Sequence, residues 1–493
     1  MKTVSEAITW LKTPGIIKCV LADITEVGNA PSSSFYLSNA AYHDGTNMYD
    51  ACITGGLSFS EALSIDGSPS ISFGSLELVN TGGAHDSFIG YVWAKRPIKI
   101  YIGDPSWPKT DFILVFDGLI KDILAPTETQ ISFSLFDKLQ RLNDPITERT
   151  LKNTSYSQNT LDTILPLMFG ECFNVSPLLV DNGSTGNTGQ IYMLHDGAIN
   201  GIIEVRDNGI PVAINENLSA GTFELVTQPY GTITASAQGS TSTYTNTVDG
   251  IITKLVTGYG TLENRFQVSD LSFTDFTNTS AVGLYCSDRQ NLLEACTEVA
   301  RSVNANLICP SIVVTGNTIS NSKLRLVEIK EPSGTPKYYL NDDNMIVGTL
   351  SVSEMFAVKP SVKLGYCKNY TVQQTVASGV NPTSKFDEQY WYSTASNSTN
   401  KTLYRDSGNV AEEPTILVKT TEADTEAQKR LTLWQQQRYV VTARYLPELI
   451  FVQLGDIVQV TSSRFGLSGG KLGMVYSVNR DWETGQVDIG VLI

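Results

Sequence analysis

Gly466-Leu-Ser-Gly-Gly470 spells the G-x-S-x-G pattern of a nucleophile elbow. Such a serine needs a helix behind it and a histidine later in the chain. Here an alternating, strand-like run follows, and His43, His85 and His195 all precede Ser468. The overlapping Gly-Gly-Lys matches only the end of a phosphate loop: Phe465 stands where the first glycine belongs and Leu472 where a magnesium-binding hydroxyl belongs. The segment reads as a glycine-rich turn between strands.

The remaining chemistry-bearing residues are scattered. No histidine sits in H-E-x-x-H or H-x-x-H, so a histidine metal site has no sequence support. Leu194-His-Asp-Gly197 reads as a turn in which Asp196 bonds the backbone. Residues 181–189 are rich in oxygen donors but lack calcium-loop spacing. Glu171 and Asp181 can be nominated as a glycosidase pair, with no flanking motif to favour them. The aromatic trio Tyr390, Trp391 and Tyr392 suits stacking on a sugar, contact with another subunit, or loop packing, and subunit contact is expected. No catalytic residue, cofactor or metal is expected.

Composition narrows the classes further. Of 493 residues, 41% are hydrophobic and 17% charged, as in ordinary globular domains, and the length suits about three of them. The net charge of -15, without a basic cluster, argues against a dedicated nucleic-acid groove. The start "MKTVSEAITWLKTPG" breaks a signal-peptide core with Glu6 and Lys12, and no run approaches 18 apolar residues, so synthesis in a cytoplasm without a membrane anchor is expected. Seven cysteines, odd in number and without C-x-x-C, read as buried free thiols.

The elements that must carry any site are mostly strands. Residues 1–148 hold short β-rich runs bounded by Gly, Pro and Asp. Residues 149–345 open with a short helical pattern at "NTLDTIL", continue β-rich over 190–280 with a hairpin at Asp207-Asn208-Gly209, and carry a helix near 288–303. That helix is expected to start on a Ser287/Gln290 capping box and to lie on a strand pair, "NANLICP" with "KLRLVEI". Residues 346–493 are again β-rich, with an extended arm at 376–415 and a helix at 421–437 in which Glu426 faces Arg430.

Two hairpins read alike. Gly118-Leu119-Ile120 and Ile123 match Gly473-Met474-Val475 and Val478, and Gln130-Ile131, Phe133 and Leu135 match Gln486-Val487, Ile489 and Val491. A strand precedes each, "IKIYI" and "DIVQV". Either the chain contains a duplication, or two alternating hairpins agree because period-two patterning is generic.

Several stretches together resemble the tail-tip, or baseplate, hub proteins of tailed bacteriophages. They are "RPIKIYIGDPSW" (96–107), "FDGLIKDI" (116–123), "LFDKLQRLNDPI" (135–146), "FGECFNVSPLLVD" (169–181), "EVRDNGIPV" (204–212), "LGYCKNYTVQ" (364–373) and "LGDIVQVTSSRFGLSGGKLGMVYSV" (454–478). The resemblance implies a mainly β fold with some α+β, in which two related small β-barrels flank a central α+β region. It also implies a homotrimer, presenting six near-equivalent barrels to a hexameric tail tube and forming a DNA exit channel in the virion. Partners would be the distal tail protein, the tape-measure protein and central fibre or receptor-binding tip proteins, with no sequence-specific nucleic acid. Cell-wall cutting would belong to another chain. The alternatives are a virion-associated glycan hydrolase and a carbohydrate-binding adhesin.

Overall fold

Along Gln130–Phe136 every second side chain, Ile131, Phe133 and Leu135, is buried, while Gln130, Ser132 and Ser134 lie nearer the surface. Each such buried side chain contributes about 1.5–3 kcal/mol, which is what holds a short strand in one register. The computed structural model describes residues 1–68, 73–183, 189–240, 243–380, 386–405 and 410–493. It is mainly β in several sheets, of which the largest has sixteen strands.

The first ten of those strands come from the N-terminal third: β1 (Cys19–Ile24), β2 (Phe35–Ser38), β3 (Tyr42–His43), β4 (Met48–Ala51), β5 (Ile53–Gly55), β6 (Ser58–Ala62), β7 (Phe73–Val79), β8 (Pro97–Gly103), β9 (Ile113–Thr127) and β10 (Gln130–Phe136). Six come from the C-terminal third: β11 (Tyr338–Leu340), β12 (Ser351–Met355), β13 (Tyr439–Tyr445), β14 (Ile457–Val460), β15 (Lys471–Asp481) and β16 (Gln486–Leu492). The main path runs β12-β13-β16-β15-β6-β7-β10-β9-β8-β1-β2-β4-β3. β11 and β14 join it through β15, and β5 joins through β7.

The sequence suggests two small β-barrels; among the described residues the strands join in one continuous sheet, with no closed barrel. The physical reason is β6, which pairs with β7 on one side and with β15 on the other, welding the two ends of the chain together. One large apolar cluster accordingly runs through both ends, from Ile100 and Phe116 to Val475 and Ile489.

The central region hangs on this sheet. α3 (Leu292–Arg301) buries Leu292, Cys296 and Val299 in a second core, which also takes in Ala305, Leu307 and Leu326 of the antiparallel strands Ala305–Ile308 and Arg325–Glu328. Its capping box is Asn291 with Glu294, four residues after the expected Ser287 with Gln290, because the apolar stripe begins only at Leu292. α2 (Val248–Gly258) lies inside the stretch read as strands; its β-branched residues hide a helix whose Val248, Ile251, Ile252, Leu255 and Val256 share one buried face. No helix forms over Asn159–Leu165, where Pro166 follows before a turn can propagate. Asn208 and Gly209 take φ of 51° and 88°, giving the expected hairpin turn between Asp207 and Ile210.

The segment read as an arm carries a strand (Trp391–Ser396), α4 (Ser398–Leu403) and a short strand (Glu412–Pro414); residues 381–385 and 406–409 lie outside the described residues, as do 184–188 of the oxygen-rich loop. α5 (Thr420–Trp434) follows, with Arg430 buried between Glu426 at 2.7 Å and Glu413 at 2.8 Å. α1 (Val4–Leu11) opens the chain on a Thr3/Glu6 capping box. No helix among the described residues is long and apolar enough to cross a membrane.

Candidate assembly interface

The two matched hairpins agree in structure at the level of register. In β9 and β10, Ile120 faces Leu135 and Ile123 faces Phe133. In β15 and β16, Val475 faces Val491 and Val478 faces Ile489, the pairs that the sequence match demands. Between those pairs each hairpin carries a one-residue bulge, at Lys121 in the first and at Tyr476 in the second, and these positions also coincide.

The strands on either side repeat the agreement. β7 flanks β10 with Leu76 opposite Phe133 and Leu78 opposite Ile131; β13 flanks β16 with Ala443 opposite Ile489 and Tyr445 opposite Val487. β8 sets Pro97 and Ile98 against Leu119 and Gly118, and β14 sets Ile457 and Val458 against Met474 and Gly473. Thus β7-β10-β9-β8 and β13-β16-β15-β14 are the same four-stranded unit in the same chain order. A β-carbon at Gly118 would lie 2.3 Å from the Phe136 carbonyl oxygen, and one at Gly473 would lie 2.8 Å from the Leu492 carbonyl oxygen, so the same glycine is needed at the same crossing.

The units meet at a polar, buried joint. β6 lies antiparallel to the outer half of β15, with Ser60 opposite Asn479 and Phe59 opposite Arg480. Ser58 and Ser60 hydroxyls both donate to Asn479 Oδ1, at 3.0 and 2.9 Å. Arg480 is 1% exposed; its Nε and Nη2 donate to the carbonyls of Ile450 and Val452 at 2.9 and 2.7 Å, and its Nη1 lies 3.0 Å from Glu61 Oε2. Glu61 Oε1 in turn accepts from the Ser311 amide at 2.8 Å, bringing the central region into the joint. The Arg480 and Glu61 charges are taken out of water, so their arrangement is worth its desolvation only when complete.

The aromatic trio sits beside the central region. Trp391 and Tyr392 begin a strand antiparallel to Ser361–Tyr366, and Tyr390 packs over Gly365. Trp391 stands edge-on to Phe173 and Tyr366. Tyr392 is the most exposed of the three; its hydroxyl donates to Glu412 at 2.7 Å and Lys363 Nζ lies 4.0 Å from its ring centre. Nearby, the Arg206 guanidinium lies 5.6 and 5.2 Å from the ring centres of Phe173 and Phe386.

Other nominated groups have structural partners. Glu171 accepts from Gln238 at 3.1 Å, and Asp181 accepts from the Ser157 hydroxyl at 3.0 Å. Asp196 does not tie its own turn: its carboxylate pairs with Arg149 at 2.7 Å. His195 is buried and accepts from the Met168 amide through Nδ1 at 2.9 Å, and burial, helped by the charge of Lys254, pulls its pKa down to about 4. Six cysteines are buried and Cys367 is half-buried, all as free thiols.

One grouping escaped the sequence. Asp50, Cys52 and His85 bring oxygen, sulfur and nitrogen within 4.8 Å of one another, a donor set that zinc accepts. Burial pushes the Cys52 thiol up to about 12, which opposes the thiolate that a metal needs.

No family model matches the sequence, and no curated protein matches it. Among solved structures the chain is similar over 97% of its length to a tail protein from Neisseria meningitidis, covering 96% of that chain at 9% identity with a TM-score of 0.43. It is likewise similar to the 43 kDa tail protein of prophage MuSo2 from Shewanella oneidensis (97% and 98% covered, 10% identity, TM-score 0.42). A prophage tail protein from Listeria monocytogenes is a third (97% and 94% covered, 9% identity, TM-score 0.40).

Proposed function

We propose that this chain is a structural, non-enzymatic hub of a phage tail tip or baseplate, acting as a homotrimer that adapts a sixfold tail tube to a threefold tip. The observation that carries the reading is the register-matched pair of four-stranded units. A ring that must offer six like surfaces from three chains needs each chain to supply the surface twice. The sequence resemblance to hub proteins points the same way.

Each unit also bends toward a small barrel. In the first, Cys52 donates its amide to Ser38 at 2.8 Å on one side and accepts from Val79 at 2.7 Å on the other, linking β2 to β7. In the second, the chain from Tyr338 pairs with β14, then meets β13 through Met345 opposite Tyr445. Three copies would set six such bodies around an axis, with the central regions projecting to one side toward the tape-measure, fibre and tip proteins. A net charge of -15 suits a lumen that DNA passes without sticking.

A glycan-binding role has less behind it, since Lys363 already lies over one face of Tyr392, the most exposed ring of the three. The hub reading is tested by electron microscopy of the purified chain mixed with its tail-tube protein. A threefold ring capping tube ends is expected; a protein that never associates with tube ends would count decisively against the reading.

A further inference from the structure

The joint between β6 and β15 has an unfilled counterpart. In the second unit the outer half of β15, Ser477–Asp481, is covered by β6 and alternates between buried and half-buried. In the first unit β8 pairs with β9 only as far as Leu119, and the outer half of β9 is bare: Leu124, Ala125, Pro126 and Thr127 are all exposed. The strand equivalent to β6 is β12, because each lies beside the strand that flanks the hairpin: Phe59 faces Gly74 as Val352 faces Val441. β6 is half covered, whereas β12 has Ser351, Ser353, Glu354 and Met355 exposed. Each unit therefore has a donor edge and an acceptor edge, and one copy satisfies only one of the two pairs.

Within a copy the two bare edges are not paired, and six strands lie between β12 and β9 on the sheet path. We propose that β12 of one copy pairs antiparallel with the outer half of β9 in the next copy, repeating between chains the joint that β6 and β15 make within one. This deepens the trimeric-hub reading and rests on it. Carrying the register of β6 on β15 across to the equivalent positions sets Met355 opposite Ile123 and Glu354 opposite Leu124. The pairing would cover Leu124 and Met355, which are 55% and 66% exposed. It would also supply backbone partners for two edges that otherwise invite indiscriminate strand addition. Pro126, which has no amide hydrogen, ends the acceptor edge and limits the pairing to a short stretch. Because donor and acceptor edges differ, the contact is head-to-tail and closes only as a ring.

The test is cysteine cross-linking of the full chain. The double variant Leu124→Cys/Glu354→Cys is oxidised and run without reductant, beside each single variant and beside Ser60→Cys/Asn479→Cys, whose positions face each other inside one chain. The first double variant should shift from a one-chain band to bands of two and three chains, collapsing on reduction, while Ser60→Cys/Asn479→Cys stays at one chain. A particle of three chains by light scattering that gives no interchain band would overturn the edge pairing and leave the ring standing. A particle of one chain would overturn the ring reading itself, and the pairing with it.

Discussion

Arg480 and Glu61 face each other at 3.0 Å across the joint between the two units, both with 3% exposure or less. They come from opposite ends of the chain, and the pair is completed by carbonyls of Ile450 and Val452 and by the Ser311 amide. Removing one partner leaves the other charged and dry. Arg480→Ala is expected to cost about 3–5 kcal/mol, read as a lowered urea midpoint, whereas Arg480→Met with Glu61→Leu should recover most of the loss. An Arg480→Ala protein as stable as the parent would mean the joint does not hold the units together.

Gly118 and Gly473 predict a matched pair of defects. Gly118→Ala and Gly473→Ala each force a β-carbon against a neighbouring carbonyl, and each should cost about 1–3 kcal/mol. Gly90→Ala, where a β-carbon meets nothing within 4 Å, should stay within about 0.5 kcal/mol. Thermal denaturation of the three variants distinguishes a shared backbone crossing from an accident of composition.

The fold's acid sensitivity should track His195. Its folded pKa, about 4, lies below the 6.5 of the free side chain, so between those values the unfolded chain binds the proton that the folded chain refuses. The stability is therefore complete above about pH 6.5 and is lost as pH falls toward 4, by about 3 kcal/mol in all. His195→Asn, whose amide oxygen can take the Met168 hydrogen bond, should flatten that slope in melts at pH 7 and pH 4.5. An unchanged slope would assign the acid sensitivity to other groups.

The hairpin match was legible because period-two burial and two obligatory glycines leave marks in residue type. The shared bulge at Lys121 and Tyr476 left none: a bulge needs only one extra residue, and a lysine and a tyrosine fill it with different contacts, one over Phe136 and the other against Phe356. β6 was not singled out as a strand, and nothing in "SFSEA" says that it pairs with residues from the far end of the chain, since register between distant strands is set by packing. α2 was lost to its own Val and Ile content, which fits a strand by propensity while tertiary burial selects the helix. Asp50, Cys52 and His85 were invisible as a group because the turns between β7 and β8 bring His85 back beside β4. Tyr390, Trp391 and Tyr392 were found as a cluster, but their division into packed and exposed faces depends on the strand that begins at Trp391.

In the hub proposed above, the repeated four-stranded unit serves a closed ring of three chains. Light scattering of the purified chain, coupled to size separation, measures the particle's mass directly. A particle of three chains, stable on dilution to the micromolar range, is the expected result, and a particle of one chain at every concentration would contradict the closed ring.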